Sequence, residues 1–140
     1  MRKLPFVFII VPCYNVENCV KRCIDSLIAN TYQNKRIILV DDGSTDGTAS
    51  ILRDFDNNYD CVSLVQKKYN NGLGMARNSG LDFAQGGEYV IFVDSDDYTS
   101  PTLVETAVCA IEQSGCDLCE FGFNNEKGET WIPQVYHYKS

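Results

Sequence analysis

The sequence predicts an α/β fold, a mostly parallel sheet with helices on both faces, and three features of the 140 residues predict it. Short apolar runs alternate with amphipathic stretches. The runs are continuous rather than alternating, as in strands covered on both sides. Polar clusters rich in Asp and Gly follow directly on their ends.

Phe6 to Val11 is the first such run and reads as a buried strand. Asn15 is placed to cap a helix from Val16 to about Ala29, in which Val20, Ile24, Leu27 and Ile28 share one face. Arg36 to Val40 is the second strand. A helix over about Gly47 to Phe55 follows, with Ile51, Leu52 and Phe55 inward. Cys61 to Gln66 is the third strand and Gly74 to Gln85 the third helix, ended by Gly86-Gly87, before a fourth strand over Glu88 to Val93. Ser100 and Pro101 stand at the N-cap and first turn of a helix reaching about Ser114. Cys116 to Phe123 is a fifth strand, Asn125 to Glu129 is a turn, and Thr130 to Tyr138 is a last strand. With no repeat or linker, the chain is expected to be one domain over 1–140.

Composition narrows the function. The hydrophobic fraction of 44% and charged fraction of 22% are those of a globular protein, and 12 Lys and Arg against 19 Asp and Glu argue against a nucleic-acid binder. Leu4 to Pro12 is far too short to span a membrane, and no small-residue cleavage site follows it. No transmembrane segment is therefore expected, which leaves room for peripheral membrane association. Seven scattered Cys, an odd number, point to reduced thiols and a cytoplasmic location.

Ligands of open α/β sheets bind beyond the carboxyl ends of the strands. Strand one ends in Pro12-Cys13-Tyr14-Asn15 and strand two in Asp41-Asp42-Gly43-Ser44-Thr45-Asp46-Gly47. Strand three leads to Lys67 and Asn70-Asn71-Gly72-Leu73-Gly74, and strand four to Asp94-Ser95-Asp96-Asp97. Asp, Gly and Ser also serve as plain turn and cap residues, but four such clusters on one edge exceed what turns require. Asp41, Asp42, Asp94, Asp96 and Asp97 are expected in one cleft, where carboxylates repel unless a cation compensates. An all-oxygen set with Asp-x-Asp spacing suits Mg²⁺ or Mn²⁺, and such a metal in turn suits a phosphorylated ligand.

These segments resemble those of family 2 glycosyltransferases of the GT-A fold. The likeness is carried by Ile9-Ile10-Val11-Pro12-Cys13-Tyr14-Asn15, Ile38 to Thr48, Asn71 to Gly80 and Phe92 to Asp97. The chain is similar to the N-terminal, nucleotide-sugar-binding part of that Rossmann-like fold, incomplete at its C-terminus. The resemblance implies a metal-dependent, inverting transfer of a sugar from a nucleotide-sugar, a UDP-sugar, to a saccharide or other hydroxyl acceptor in cell-surface polysaccharide synthesis. It implies that Pro12, Tyr14 and Glu17 border the base and ribose, that Asp42 meets the uracil imide with Asp41 in support, and that Asn71, Gly74 and Arg77 line the nucleotide side. Asp94-Ser95-Asp96 corresponds to the DxD motif, with Asp94 near the ribose and Asp96 on the metal.

Such domains continue well past that motif to a catalytic base, and none is identified among the residues after Asp97. Glu120, Glu126 and Glu129 offer no convincing candidate. A second reading is accordingly a nucleotide-binding module without turnover. A nucleotidyltransferase is a third, disfavoured because Pro12-Cys13-Tyr14-Asn15 is not a Gly- and Arg-rich loop. Gly72-Leu73-Gly74 fails the dinucleotide pattern, with Arg77 in its last position, and no Walker sequence is present. Cys116 and Cys119 lack further zinc ligands and are expected to pack structurally, as are Cys19 and Cys23. His137 is the single His and has no identified nucleophile beside it. Trp131, Tyr136 and Tyr138 read either as an acceptor platform or as edge-strand aromatics.

Overall fold

Branched aliphatic residues dominate the first two apolar runs, which become β1 (Val7–Cys13), fully buried, and β2 (Lys35–Asp41), buried except at Arg36. With β3 (Val62–Gln66) and β4 (Tyr89–Phe92) they form a four-stranded parallel sheet of order β3-β2-β1-β4. Helices α1 (Val20–Ile28), α2 (Thr48–Asn58) and α3 (Leu73–Phe83) connect these strands, and α4 (Leu103–Ser114) follows β4. The computed structural model describes residues 3–131. The chain divides into two units, Met1–Val104, which holds the parallel sheet, and Glu105–Ser140.

The strand order decides where the helices lie. The first two connections step the same way along the sheet and the third steps back past β1. Right-handed crossovers therefore put α1 and α2 on one face and α3 on the other. Side chains agree with this. Phe8, Ile10, Ile38 and Val40 cluster with Ala76 of α3. The alternate residues Val7, Ile9, Val11, Ile37 and Leu39 face the opposite way and are wholly buried, as are Val20, Ile24 and Leu27 of α1 and Leu52 of α2. Lys21 of α1 lies 6.0 Å from the Phe55 ring of α2, so those two helices are neighbours. Gly80 lets α3 approach β1 closely, since a Cβ there would collide with Ile10.

The reversal of direction falls between β1 and β4, and there the sheet opens. Their pairing runs only from Val7↔Tyr89 to Ile10↔Phe92, with one further bond from Val93 N–H to the Ile10 carbonyl at 3.0 Å. β1 continues beside β2 to Cys13↔Asp41. Pro12 thus sits inside a central strand without disrupting it. The bonds from Val7 to Asn34 and from Asp42 to Cys13 show that odd-numbered residues face β2, so the missing Pro12 N–H points toward β4, past the end of its pairing.

Three expectations need correction. Asn15 does not cap α1. Its φ is +50°, its Oδ1 accepts the Thr45 N–H at 2.8 Å, and its own N–H donates to Ser44 Oγ at 3.1 Å. A tertiary tie to the β2–α2 loop takes the amide that a cap would use, and α1 begins later, at Val20 after Cys19. Cys116 to Phe123 is not a strand: only Phe123–Asn124 pairs, antiparallel with Thr130–Trp131. A run of apolar and small residues becomes a strand only where a neighbouring ladder exists, and Leu118 stays 78% exposed here. Nor is Cys116-x-x-Cys119 a buried packing pair, for Cys116 is exposed and Cys119 half-buried. The rest of the Thr130–Tyr138 strand, with Tyr136, His137 and Tyr138, lies outside the described residues, as does the Trp131 side chain.

Cys13 and Cys23 are buried, and burial is the main cause holding both thiols protonated, Cys23 up to about 12 and Cys13 higher still. A group whose folded pKa is raised contributes stability that is present below its unfolded pKa and lost as pH climbs to the folded one. Thermal stability should therefore fall between pH 9 and about 12, by roughly 1 kcal/mol per pH unit for each such thiol. Cys23→Ala should lower Tm at neutral pH yet flatten this alkaline slope. An unchanged slope, followed by circular dichroism melts, would reject the assignment.

Candidate functional site

All four predicted clusters lie at the carboxyl edge of the sheet, but they divide into two groups. The first sits at the ends of β2 and β3. Asp41 is buried; its Oδ1 accepts the Ser44 N–H at 3.0 Å, closing the turn after β2, and its Oδ2 takes a long bond of 3.4 Å from Gln66. Asp42 is 3% exposed, and Lys67 reaches it with Nζ 2.9 Å from Oδ1. The Gly72 N–H donates to Asp42 Oδ2 at 2.9 Å and the Asn71 N–H to Oδ1 at 3.2 Å. One carboxylate therefore ties the end of β2 to the loop entering α3.

Gly43 makes that junction possible. Its φ is +74°, and a Cβ would stand 2.6 Å from the Tyr69 carbonyl carbon, so two backbones meet where no side chain fits. Beside it opens a cleft of about 510 Å³ lined by Asp41, Gly43, Ser44, Thr45, Gln66, Lys67 and Lys68, a volume suited to a small ligand.

The second group sits at the end of β4. The Asp97 N–H donates to the Asp94 carbonyl at 3.0 Å, so Asp94-Ser95-Asp96-Asp97 is one tight turn. Asp94 and Asp96 are exposed on either side of the buried Ser95. Arg77 reaches over from α3, its Nη2 3.1 Å from Asp94 Oδ1 and its guanidinium 5.8 Å from the Phe92 ring. Behind the turn, the Cys23 thiol donates to the Asp94 carbonyl over 3.6 Å. Ser95 acts on the buried Cys13 thiol, so the end of β1 lies at the same place.

The five carboxylates thus fall into two groups, each with its own partners. Lys67 compensates the Asp41–Asp42 group, while Arg77 pairs with Asp94 and Arg22 acts on Asp97 in the β4 turn. There an excess of negative charge remains. The Asp97 carboxyl is held above its usual range, first by burial and then by Asp96 and Asp94, while Arg22 acts the other way. Among the described residues, no group of three or more His, Cys, Asp or Glu is placed to cage a metal. The β4 turn still fits a hard cation of the Mg²⁺ type, which takes one or two carboxylates and fills its remaining positions with phosphate oxygens and water.

The other predicted residues fall around these groups. Pro12 lines the opening between β1 and β4, and Tyr14 is 44% exposed just beyond it. Glu17 is engaged in the fold: its Oε2 accepts the Gly47 N–H at 2.7 Å, while Asp46 Oδ1 accepts that of Thr48 at 2.9 Å. Those two carboxylates satisfy the start of α2. Gly74 lies in the first turn of α3, with open space where a Cβ would be. Lys67 and Arg22 carried no assigned role in the sequence, and Cys23 only one in helix packing. A lone Lys directly after a strand in an acid-rich edge was the available signal for Lys67. Nothing local marks the other two.

Comparison with known proteins follows the same outline. The family model described as glycosyl transferase family 2 matches residues 8–137. Glycosyltransferase GlyA of Streptococcus pneumoniae is 41% identical over 125 residues, which is 87% of this chain and 18% of that protein. The crystal structure of S. aureus TarS 1-349 in complex with UDP-GlcNAc superposes with a TM-score of 0.81 at 31% identity, over 92% of this chain and 37% of that one. The mannosyltransferase PcManGT from Pyrobaculum calidifontis, in complex with GDP-Man and Mn²⁺, gives 0.63 at 31% identity over 67% of this chain and 28% of its own. The chain therefore spans well under half the length of these relatives. The parallel sheet and its helices bear out the expected GT-A architecture. No helix among the described residues is long and apolar enough to cross a membrane.

Proposed function

The chain belongs to glycosyl transferase family 2, and from that premise we propose that it forms the donor site of a metal-dependent, inverting glycosyltransferase using a UDP-sugar. The observation that carries this reading is the β4 turn: Asp94 and Asp96 project from it, exposed, where β1 and β4 part. In open parallel sheets that is where ligands lodge.

In this reading the base and ribose occupy the side bordered by Pro12, Tyr14, Glu17, Asn71 and Gly74. Asp42 has a positioning task, holding the α3 entry loop, and its unused acceptor capacity is what would meet an imide N–H. Arg77 keeps Asp94 oriented and adds positive charge beside the diphosphate. Asp96, with Asp94, would hold Mn²⁺ or Mg²⁺, whose chemistry when bound is to neutralise charge growing on the leaving diphosphate. Inversion needs one displacement: an acceptor oxygen bonds to the anomeric carbon as the bond to the diphosphate oxygen breaks. The hydroxyl proton passes to a general base, a role assigned to none of the described residues.

Thermal melts with UDP, GDP, dTDP and CDP, each with Mn²⁺ or EDTA, test the reading. One diphosphate at 100 times its dissociation constant should stabilise the chain by ~2.7 kcal/mol with Mn²⁺. It should do so far less with EDTA. A cooperative melt unmoved by every nucleotide would refute the donor site. Binding without any release of sugar from a UDP-sugar would instead favour a nucleotide-binding module without turnover.

A further inference from the structure

We propose that Tyr98 is a stacking platform for the pyranose ring of the donor, an inference that rests on the donor-site reading above. Tyr98 follows the β4 turn by one residue and is 64% exposed, yet it is held on both sides. Before it, the Asp97 N–H closes the turn on Asp94; after it, the Thr99 N–H donates to Ser26 Oγ of α1 at 3.0 Å. Its ring lies against the Arg22 guanidinium, 4.6 Å from the centroid.

A guanidinium on one face of a tyrosine is a favourable contact and leaves the other face free. A single exposed aromatic is ordinary on a surface. An exposed aromatic pinned through its ring and both neighbouring amides is already ordered, so a ligand that stacks on it loses less entropy in binding. Tyr is suited to such contacts, offering a large rigid area with few torsions to freeze.

Position names the ligand. With a diphosphate held at Asp94 and Asp96, the sugar is the next group along the donor, and Tyr98 is two residues past Asp96. A pyranose presents a face of C–H groups carrying slight positive charge, which complements the negative face of an aromatic ring. The platform would thus read the sugar and not the nucleotide.

Titration calorimetry of this chain with Mn²⁺, using UDP and a panel of UDP-glucose, UDP-galactose and UDP-N-acetylglucosamine, tests the assignment. Tyr98→Ala should weaken the tightest UDP-sugar by roughly fivefold, the size expected of one aromatic contact, and leave UDP unchanged. Tyr98→Phe should restore the loss, and Arg22→Ala, which frees the ring, should fall between. Equal weakening of UDP and UDP-sugar, or unchanged values for both, would overturn the platform while the donor site stands. Failure of the unsubstituted chain to bind UDP at all would remove both proposals.

Discussion

Asp96→Asn should abolish the Mn²⁺-dependent stabilisation by a nucleoside diphosphate, while the unliganded chain melts within a few degrees of the parent. The amide keeps the size of the carboxylate but loses the charge a hard cation requires. Asp96 is exposed, and surface substitutions of this kind usually change stability by less than about 0.5 kcal/mol. The sign of the small remaining effect can be stated. Burial is the main cause that holds the Asp97 carboxyl above its usual range and the Asp96 charge adds to it, so removing that charge should lower the Asp97 pKa without abolishing the shift. Melts with and without Mn²⁺ and UDP, run beside a carboxylate titration by NMR, measure both effects. Nucleotide stabilisation that survives in Asp96→Asn would place the diphosphate elsewhere.

Asp42→Ala should have the largest effect on the fold itself. The carboxylate and Lys67 are 4% and 14% exposed as side chains, so removing one partner strands a nearly buried ammonium and takes the acceptor from the Asn71 N–H, while the Gly72 N–H keeps Asn70 Oδ1. Breaking a buried pair in this way costs about 3–5 kcal/mol, or a fall of ten degrees or more in a domain of this size. Lys67→Met should cost less, because Asn71 and Gly72 still donate to Asp42. The double variant should recover part of the single loss, since no charge is left unpaired. Melts of all four proteins give the coupling energy. A loss under about 1 kcal/mol in Asp42→Ala would mean that the two loops are held together by other contacts.

The same residues illustrate how far the sequence could be read. Each strand and helix of the parallel sheet was visible as a period or a continuous apolar run, which burial on both faces explains for β1 and β2, whereas β3 and β4 are only partly buried. The four polar clusters were visible as well, and so was their common edge, because parallel strands all end on the same side. Their division into two groups was not. Which partners Asp41-Asp42 and Asp94-Asp96-Asp97 each meet depends on which side of β1 each strand lies, and separation along the chain does not encode that order. Asn15 misled for a related reason. Its cap-like position is a local signal, and a stronger tertiary bond to Thr45 overrode it.

What the sequence determined by itself was the class of fold, the edge on which chemistry is placed and the identity of the acids there. Those follow from side-chain type and spacing, which are local. What only the tertiary structure decided was the company each acid keeps: Asp42 with Lys67, Asp94 with Arg77, Asp97 with Asp96 and Arg22, and Tyr98 pinned against α1. Partners drawn from different elements meet only after the sheet has set its strand order. Because electrostatic effects fall off with distance and depend on burial, the charge balance of the site becomes defined only then.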